Sequence, residues 1–162
     1  MFRFIHIFLM VVLIAGCGFR PMYNGDDIDI YVAPISGVNG IDLRNELNVH
    51  FGGVHDDSAQ YILTVDLSEP VTQYKALEPT GDASWQEISI RASYKLSRDG
   101  IVVASGTETA SESYTFVRYL VASNASYNNA VKNTIKVLGN KISARAITGT
   151  YAENQTVGAN DK

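Results

Sequence analysis

Two segments in the middle of the chain alternate between apolar and polar residues, and this alternation limits the possible fold more than any other feature. The first runs from Ala59 to Leu67 and the second from Glu87 to Leu96. A period of two places all the apolar side chains on one face of a strand. Asp99-Gly100 follows the second segment and is a strong hairpin signal, so we predict a return strand from Ile101 to about Tyr114.

Shorter patterns on either side predict one more strand and two helices. Ile28, Ile30 and Val32 alternate with polar residues and indicate a strand that ends before Pro34. Apolar residues then recur at helical spacing over 41–51, where they are Leu43, Leu47 and Phe51. A final helix is predicted from the same spacing of Val131, Ile135, Leu138, Ile142 and Ala146.

The remaining segments are predicted as loops. Residues 70–84 contain Pro70, Pro79 and Gly81, which favour a loop, and Gly106 is interpreted as a bulge in the return strand. The predicted order is strand, helix, three strands, helix. It corresponds to the α+β class, as a two-layer sandwich with two helices packed on one face of a four-stranded sheet.

The N-terminus has the features of a secretory signal. Arg3 precedes an almost entirely apolar run over 4–15, and the run ends in Leu13-Ile14-Ala15-Gly16-Cys17. These five residues resemble the bacterial lipobox, in which the cysteine is acylated and becomes the first residue after cleavage. Because Cys17 is the only cysteine, it has no internal disulfide partner, and we expect it to be the lipidation site.

Two other interpretations of this segment stay open. A membrane-spanning helix needs about 20 apolar residues, and this run is shorter and contains His6. A signal peptide cut elsewhere would leave a free thiol in an oxidising compartment. Lipidation is the preferred interpretation, and it implies that two or more acyl chains hold the mature protein stably on a membrane.

Composition divides the chain into four parts. We predict a lipoprotein signal peptide over 1–16, a lipidated tether over 17–27, one α+β domain over 28–148 and a flexible C-terminal tail over 149–162. With 46% hydrophobic and 19% charged residues, the central part is typical of a folded domain. The formal net charge of −4 argues against general nucleic-acid binding.

The sequence contains none of the common catalytic motifs. Only His50 and His55 lie beyond the signal peptide, with no Cys or third His at metal-ligand spacing, so we expect no metal and no cofactor. The adjacent pairs Asp26-Asp27 and Asp56-Asp57 are more typical of solvated loops than of paired acid–base catalysis. An enzyme is therefore disfavoured. A lipid-modifying hydrolase stays open as an alternative function, although the sequence offers no converging catalytic groups for it.

Cations on the second alternating segment are the best candidates for ligand contacts. Arg91 and Lys95 lie on the same outward face, where they are interpreted either as ordinary surface charge or as a site for the phosphate groups of a lipid. Arg98 and Lys75 lie nearby in sequence. Trp85 opens the strand, as a partly buried edge or as a contact for a partner.

Three segments carry a recognisable pattern. The most specific is Ala15-Gly16-Cys17-Gly18-Phe19-Arg20-Pro21-Met22-Tyr23, and the looser ones are Ala92-Ser93-Tyr94-Lys95-Leu96 and Ser113-Tyr114. Together they resemble the LPS-assembly lipoprotein LptE family, in its alphaproteobacterial form. Ala130, Leu138, Ile142 and Arg145 fall where the family's final helix carries the same residue types. The chain departs from the family pattern at Trp85 and Thr115, and in its less charged final helix.

The resemblance implies a location, partners and a role. Family members are anchored on the periplasmic side of the outer membrane and lie inside an LptD-type β-barrel. They plug this barrel, assist its assembly and bind lipopolysaccharide, which the pair inserts into the outer leaflet. The alternative outside this family is a free periplasmic lipoprotein that binds a small ligand or peptidoglycan, and it predicts a monomer with a concave apolar pocket.

Overall fold

The structure is a computed structural model that describes residues 28–77, 83–116 and 119–160. These residues form five strands and two helices. The strands are β1 (Ile30–Val32), β2 (Tyr61–Leu67), β3 (Val71–Leu77), β4 (Ala83–Arg98) and β5 (Ile101–Thr115). Helix α1 (Val38–His50) follows β1, and helix α2 (Leu120–Asn160) follows β5.

Strand β4 is the centre of the sheet. It pairs antiparallel with β5 along almost its whole length. On its other side, the C-terminal half of β4 pairs with β2 and the N-terminal half pairs with β3. β1 lies parallel to β2 at the outer edge. β4 therefore joins the two halves of the sheet, the half that contains β2 and the half that contains β3.

Both helices pack on this sheet, which confirms the predicted α+β class. The sheet has five strands where the sequence predicts four, because the prediction of a loop over 70–84 is wrong for β3. All of residues 71–76 are exposed, so β3 shows no alternation of apolar and polar residues. Backbone N–H and C=O groups of β3 form hydrogen bonds with β4, and the sequence pattern does not reveal this pairing.

The core lies between the sheet and the helices, and the predicted core residues are confirmed there. Leu43, Leu47 and Phe51 of the α1 segment are fully buried. The sheet contributes alternate residues of β2 and β4, and α2 contributes the five residues predicted from its spacing: Val131, Ile135, Leu138, Ile142 and Ala146. A Cβ at Gly139 would lie 2.6 Å from Glu46 Cγ, so the glycine leaves room for the Glu46 side chain where α1 packs on α2.

The limits of α2 differ from those of the predicted helix. The helix continues to Asn160, past residue 148, after which the sequence predicts a loose tail. Thr150 is buried, and its hydroxyl donates to Ile147 O at 2.8 Å, so packing continues beyond that point. The predicted signal peptide and tether lie outside the described residues, and the domain limits stay predictions. Within the described ranges, no helix is long and apolar enough to cross a membrane.

Gly106 does not form the bulge that the sequence predicts. It pairs in register with Tyr94, and the irregularity of the β4–β5 pairing lies instead between Leu96 and Ser97. A Cβ at Gly106 would lie 2.8 Å from Tyr94 Oη and 3.0 Å from two ring carbons. The Tyr94 ring occupies the space that a side chain at residue 106 would fill, which explains the glycine.

Candidate functional site

The sheet surface that faces away from the helices carries the candidate site, and we call it the outer face. Its residues alternate along β4 and β5 with the buried core residues. Most of them are small and carry a hydroxyl group. They are Thr64 and Asp66 of β2; Glu87, Ser89, Arg91, Ser93 and Lys95 of β4; and Ser105, Thr107, Thr109, Ser111 and Ser113 of β5.

Arg91 and Lys95 are both exposed on the outer face, on either side of Ser93. The two residues are four positions apart on an extended strand, which places their Cα atoms roughly 13 Å apart. The backbone of Arg91 is fixed at the junction of β2 and β3, because its N–H donates to Ser68 Oγ at 3.0 Å and its carbonyl accepts from Ser68 N at 2.8 Å. Within the described part of the chain neither cation forms an ion pair, so both charges face solvent.

The two neighbouring cations, by contrast, are engaged within the molecule. Lys75 Nζ lies 2.9 Å from Glu87 Oε1. Arg98 lies 3.8 Å from Glu153 and stacks over the Tyr61 ring at 5.7 Å, so it ties the end of α2 to the sheet. Of the four cations that the sequence places near this face, the structure therefore leaves only Arg91 and Lys95 for a ligand.

A hollow lies on the outer face between β2, β4 and β5, and we call it the outer hollow. Its volume is about 510 Å³, and it is open to solvent. Its side chains are Thr64, Asp66, Ser93, Lys95, Ser105 and Thr107. The strand register places Asp66 opposite Ser93, and Thr64 opposite Lys95. Ser93 Oγ lies 3.1 Å from Thr107 Oγ1, so the two hydroxyl groups share one hydrogen bond.

Of these residues, sequence reasoning singles out only Lys95. The Ser and Thr residues alternate with apolar ones, which predicts a solvated face but not a hollow. The concavity comes from the way three strands meet, and no local pattern encodes it. The one available signal is the repeated use of Ser on strands that otherwise favour β-branched and aromatic residues.

On the opposite side of the sheet, tyrosines carry the main electrostatic perturbations. Burial raises the pKa of the Tyr94 phenol, and the Glu108 carboxylate raises it further, while Arg145 opposes this rise. Burial also raises the pKa of Tyr61 and that of Tyr114, whose hydroxyl donates to Gln86 Oε1. A raised pKa extends the pH range over which these phenols are neutral. We therefore interpret the three tyrosines as part of the packing on the helix side of the sheet.

Among the described residues, Asp56 and His55 make local contacts with neighbouring groups, and the Asp26-Asp27 pair lies outside the described residues. Asp56 accepts hydrogen bonds from Ser58 Oγ at 2.5 Å and Ser58 N at 3.0 Å, and these bonds lower the pKa of its carboxyl group. His55 Nδ1 lies 3.2 Å from Asp29 Oδ1, and His55 Nε2 lies 3.0 Å from the carbonyl oxygen of Phe51. In the ranges that the structure describes, no three His, Cys, Asp or Glu residues form a possible metal site. Cys17 lies outside those ranges.

Comparison with known proteins identifies the fold. The sequence matches no family model and no curated protein. Among solved structures, rare lipoprotein B from Shewanella oneidensis matches with a TM-score of 0.60 and 14% identity, over 79% of this chain and 98% of its own. A lipoprotein B from Nitrosomonas europaea, which is uncharacterized, matches with a TM-score of 0.59 and 16% identity, over 78% and 88%.

A minor lipoprotein from Acinetobacter baumannii is similar in the same way, with a TM-score of 0.54 and 14% identity over 73% of this chain and 90% of its own. At these identities the likeness shows a shared fold. The shared region covers 88% to 98% of the three solved chains.

Proposed function

We propose that this chain is an outer-membrane lipoprotein subunit of the lipopolysaccharide translocon. In this role it is anchored on the periplasmic side by an acylated Cys17. The folded domain plugs an LptD-type β-barrel and assists the assembly of lipopolysaccharide at the cell surface.

The observation that carries the proposal is the fold shared with the lipoprotein B structures from two bacteria. A second, independent support is the N-terminal sequence 15–23, which resembles the LptE family at its most specific segment. The first support comes from the arrangement of strands and helices, and the second from residues outside the described ranges. Neither depends on the other.

The outer face also suits this role. The lumen of a transmembrane β-barrel is polar, and its wall is a curved sheet. A domain that lies inside such a lumen needs small, polar, uncharged side chains on its surface, and the Ser and Thr residues of β4 and β5 provide them. Arg91 and Lys95, which are free of ion pairs in the described structure, would contact the phosphate groups of lipopolysaccharide.

Co-purification is the direct test. A tag placed after Lys162, followed by extraction in a mild detergent, is expected to recover the chain with a large β-barrel protein in equal amounts. An untagged strain is the control for background binding. Recovery of the chain alone, as a monomer, would contradict the proposal and favour the free periplasmic lipoprotein.

A further inference from the structure

Among the described strands, β1, β3 and β5 form edges of the sheet, and only the edge of β5 is long and regular. β1 is three residues long. β3 carries Lys75, and its pairing with β4 shifts register at two places. Short strands, bulges, prolines and lysines are the usual means by which proteins block such edges. β5 has none of them between Ala104 and Thr115, where it keeps one register with β4.

The backbone groups of alternate β5 residues point away from the sheet. On β4, the N–H and C=O of Arg91 point toward β2 and β3, because both bond to Ser68. Arg91 pairs with Thr109, so this is a pair without mutual hydrogen bonds, and the backbone groups of Thr109 point outward from the edge. The same holds at every second residue in this register. These residues are Ser105, Thr107, Thr109, Ser111, Ser113 and Thr115.

A lysine of α2 independently shows the same direction. Lys141 Nζ donates to Thr109 O at 2.6 Å, so this carbonyl is turned away from β4. The ammonium group occupies the position that the backbone N–H of a further strand would take. Because α2 packs on β5, the charge of Lys141 lies beside the edge on the helix side of the sheet. Within the described residues Lys141 has no carboxylate partner, whereas its neighbour Arg145 is engaged with Glu108 at 3.3 Å.

We propose that the edge of β5 between Ser105 and Thr115 binds an extended strand of another protein, one that carries an acidic side chain on its helix side. An N–H of the added strand bonds to Thr109 O, and Lys141 turns from that carbonyl to the carboxylate. The backbone bonds supply affinity, and the charge-assisted contact supplies selectivity.

This inference goes beyond the proposed function and does not depend on it. Every backbone group in the wall of a closed β-barrel is already paired, so the wall of such a barrel cannot supply the strand. The strand has to come from a segment that is free to extend, such as a loop or a terminus.

The charge at the edge favours a different protein over a second copy of this chain. A symmetric pair of β5 strands centred on Thr109 would bring two Lys141 ammonium groups together on the helix side. Like charges that meet in this way oppose pairing. A strand with an acidic side chain at that place offers the opposite charge instead.

The test uses a synthetic peptide of about eight residues, the length of an ordinary strand, in which Thr alternates with Val and Glu. Fluorescence anisotropy measures its binding to the full acylated chain in detergent micelles. Two forms of the peptide carry N-methyl groups on alternate residues, one form on Thr and the other on Val and Glu. Only one of these sets directs its N–H groups at β5, so the Kd values of the two forms are expected to differ by about tenfold or more.

Two variants of the chain locate the site. Thr109→Pro removes an N–H that makes no bond to β4, so the fold is expected to persist while the Kd of the peptide rises by about tenfold or more. The matched control, Thr109→Val, keeps the N–H and is expected to bind normally. Lys141→Glu is expected to reverse the charge preference, so that a peptide with Lys in place of Glu binds more tightly. Lys136→Glu, on the side of α2 that faces α1, is expected to leave the preference unchanged.

The outcomes decide between strand pairing and other modes of contact, even if Thr109→Pro were to unfold. Equal binding by the two N-methylated forms would overturn the inference, since contact through side chains alone does not distinguish them. An unchanged preference in Lys141→Glu would overturn the acidic partner. A dimer of the chain alone that Thr109→Pro dissociates would assign the edge to a second copy and overturn the inference as well. Co-purification with a barrel bears on the proposed function alone.

Discussion

At the scale of single residues, Tyr94 depends on the glycine that lies opposite it on the neighbouring strand. Its ring lies on the helix side of β4, over the space that Gly106 leaves open. Burial raises the pKa of this phenol, and the Glu108 carboxylate raises it further. The folded protein therefore favours the neutral form of Tyr94, while the unfolded chain releases the proton near pH 10.

The pH dependence of stability follows from that shift. A pKa raised in the folded state stabilises the protein fully below pH 10, and this stability is lost as pH rises through the folded pKa. Tyr94→Phe is expected to make the melting temperature fall less between pH 9 and 11 than in the natural chain. Tyr151→Phe, at an exposed site, is the control. The same pH dependence in Tyr94→Phe and the natural chain would contradict this reasoning.

Arg91 and Lys95 provide a second prediction at this scale. Reversing both charges, Arg91→Asp with Lys95→Asp, is expected to weaken lipopolysaccharide binding while the fold and barrel association persist, because exposed substitutions change stability little. The difference is expected to shrink at high salt, which screens exposed charges. Surface plasmon resonance at two salt concentrations measures both effects.

The matched control for this reversal lies on the opposite side of the molecule. Lys132 and Lys136 of α2 are equally exposed and lie four residues apart, so Lys132→Asp with Lys136→Asp changes the net charge by the same amount. Equal losses of binding in both double variants would reduce the effect to overall charge. Unchanged binding in the Arg91 and Lys95 variant at low salt would remove these residues from the site.

At the scale of elements, helix α2 depends on the residues that it buries. Leu138 is fully buried between the sheet and α1. Leu138→Ala is expected to lower the free energy of unfolding by about 2–5 kcal/mol, as large-to-small changes in a core do. Urea denaturation measures this loss. Val137→Ala, at the adjacent half-exposed position, is the control and is expected to lose much less; similar losses at both sites would mean that the buried face of α2 is assigned wrongly.

The elements also show which parts of this fold are predictable from the sequence. β2 and β4 bury one face each, so their alternation is visible in the residues themselves. β3 buries neither face over 71–76, and only its pairing with β4 defines it as a strand. The first turns of α2 carry exposed apolar residues, Leu120 and Val121, which follow no helical period because they project past the core.

The candidate site was predictable only in part, for the same reason. Arg91 and Lys95 follow from the alternation along one strand. The outer hollow depends on β2 and β5 as well, and the pairing that brings Asp66 and Thr107 beside Ser93 joins residues far apart in the sequence. Sequence patterns report one strand at a time, so a site shared by three strands is not visible in them.

At the scale of the whole molecule, the two ends of the sheet differ. The described chain begins beside the Asp99-Gly100 turn, because β1 pairs with the start of β2 and Ile62 pairs with Ser97. The other end, about 40 Å away along β4, exposes Trp85, Phe116 and Tyr119. An anchor before residue 28 would therefore attach the domain at the end opposite to these aromatic residues.

That anchor gives the prediction at this scale. Cys17→Ser is expected to abolish incorporation of labelled palmitate and to leave the protein unprocessed or outside the outer-membrane fraction. Because Cys17 is the only cysteine, loss of label identifies the site without ambiguity. Mass spectrometry of the natural mature protein is the complementary measurement. An unmodified Cys17 in that protein would rule out the anchor.

The three-residue strand β1 acquires a mechanical meaning in an anchored molecule. Any tension in the segment before Ile28 passes into the domain through β1, which lies side by side with β2 over three residue pairs. A pull along the strand axis loads these bonds in shear, all together, instead of opening them one after another. Arg44 Nε, which donates to Val32 O at 3.0 Å, and the contact of His55 with Asp29 share that load with α1 and with the loop that follows it. The shortest strand of the sheet is thus the one through which tension on an N-terminal anchor would reach the rest of the domain.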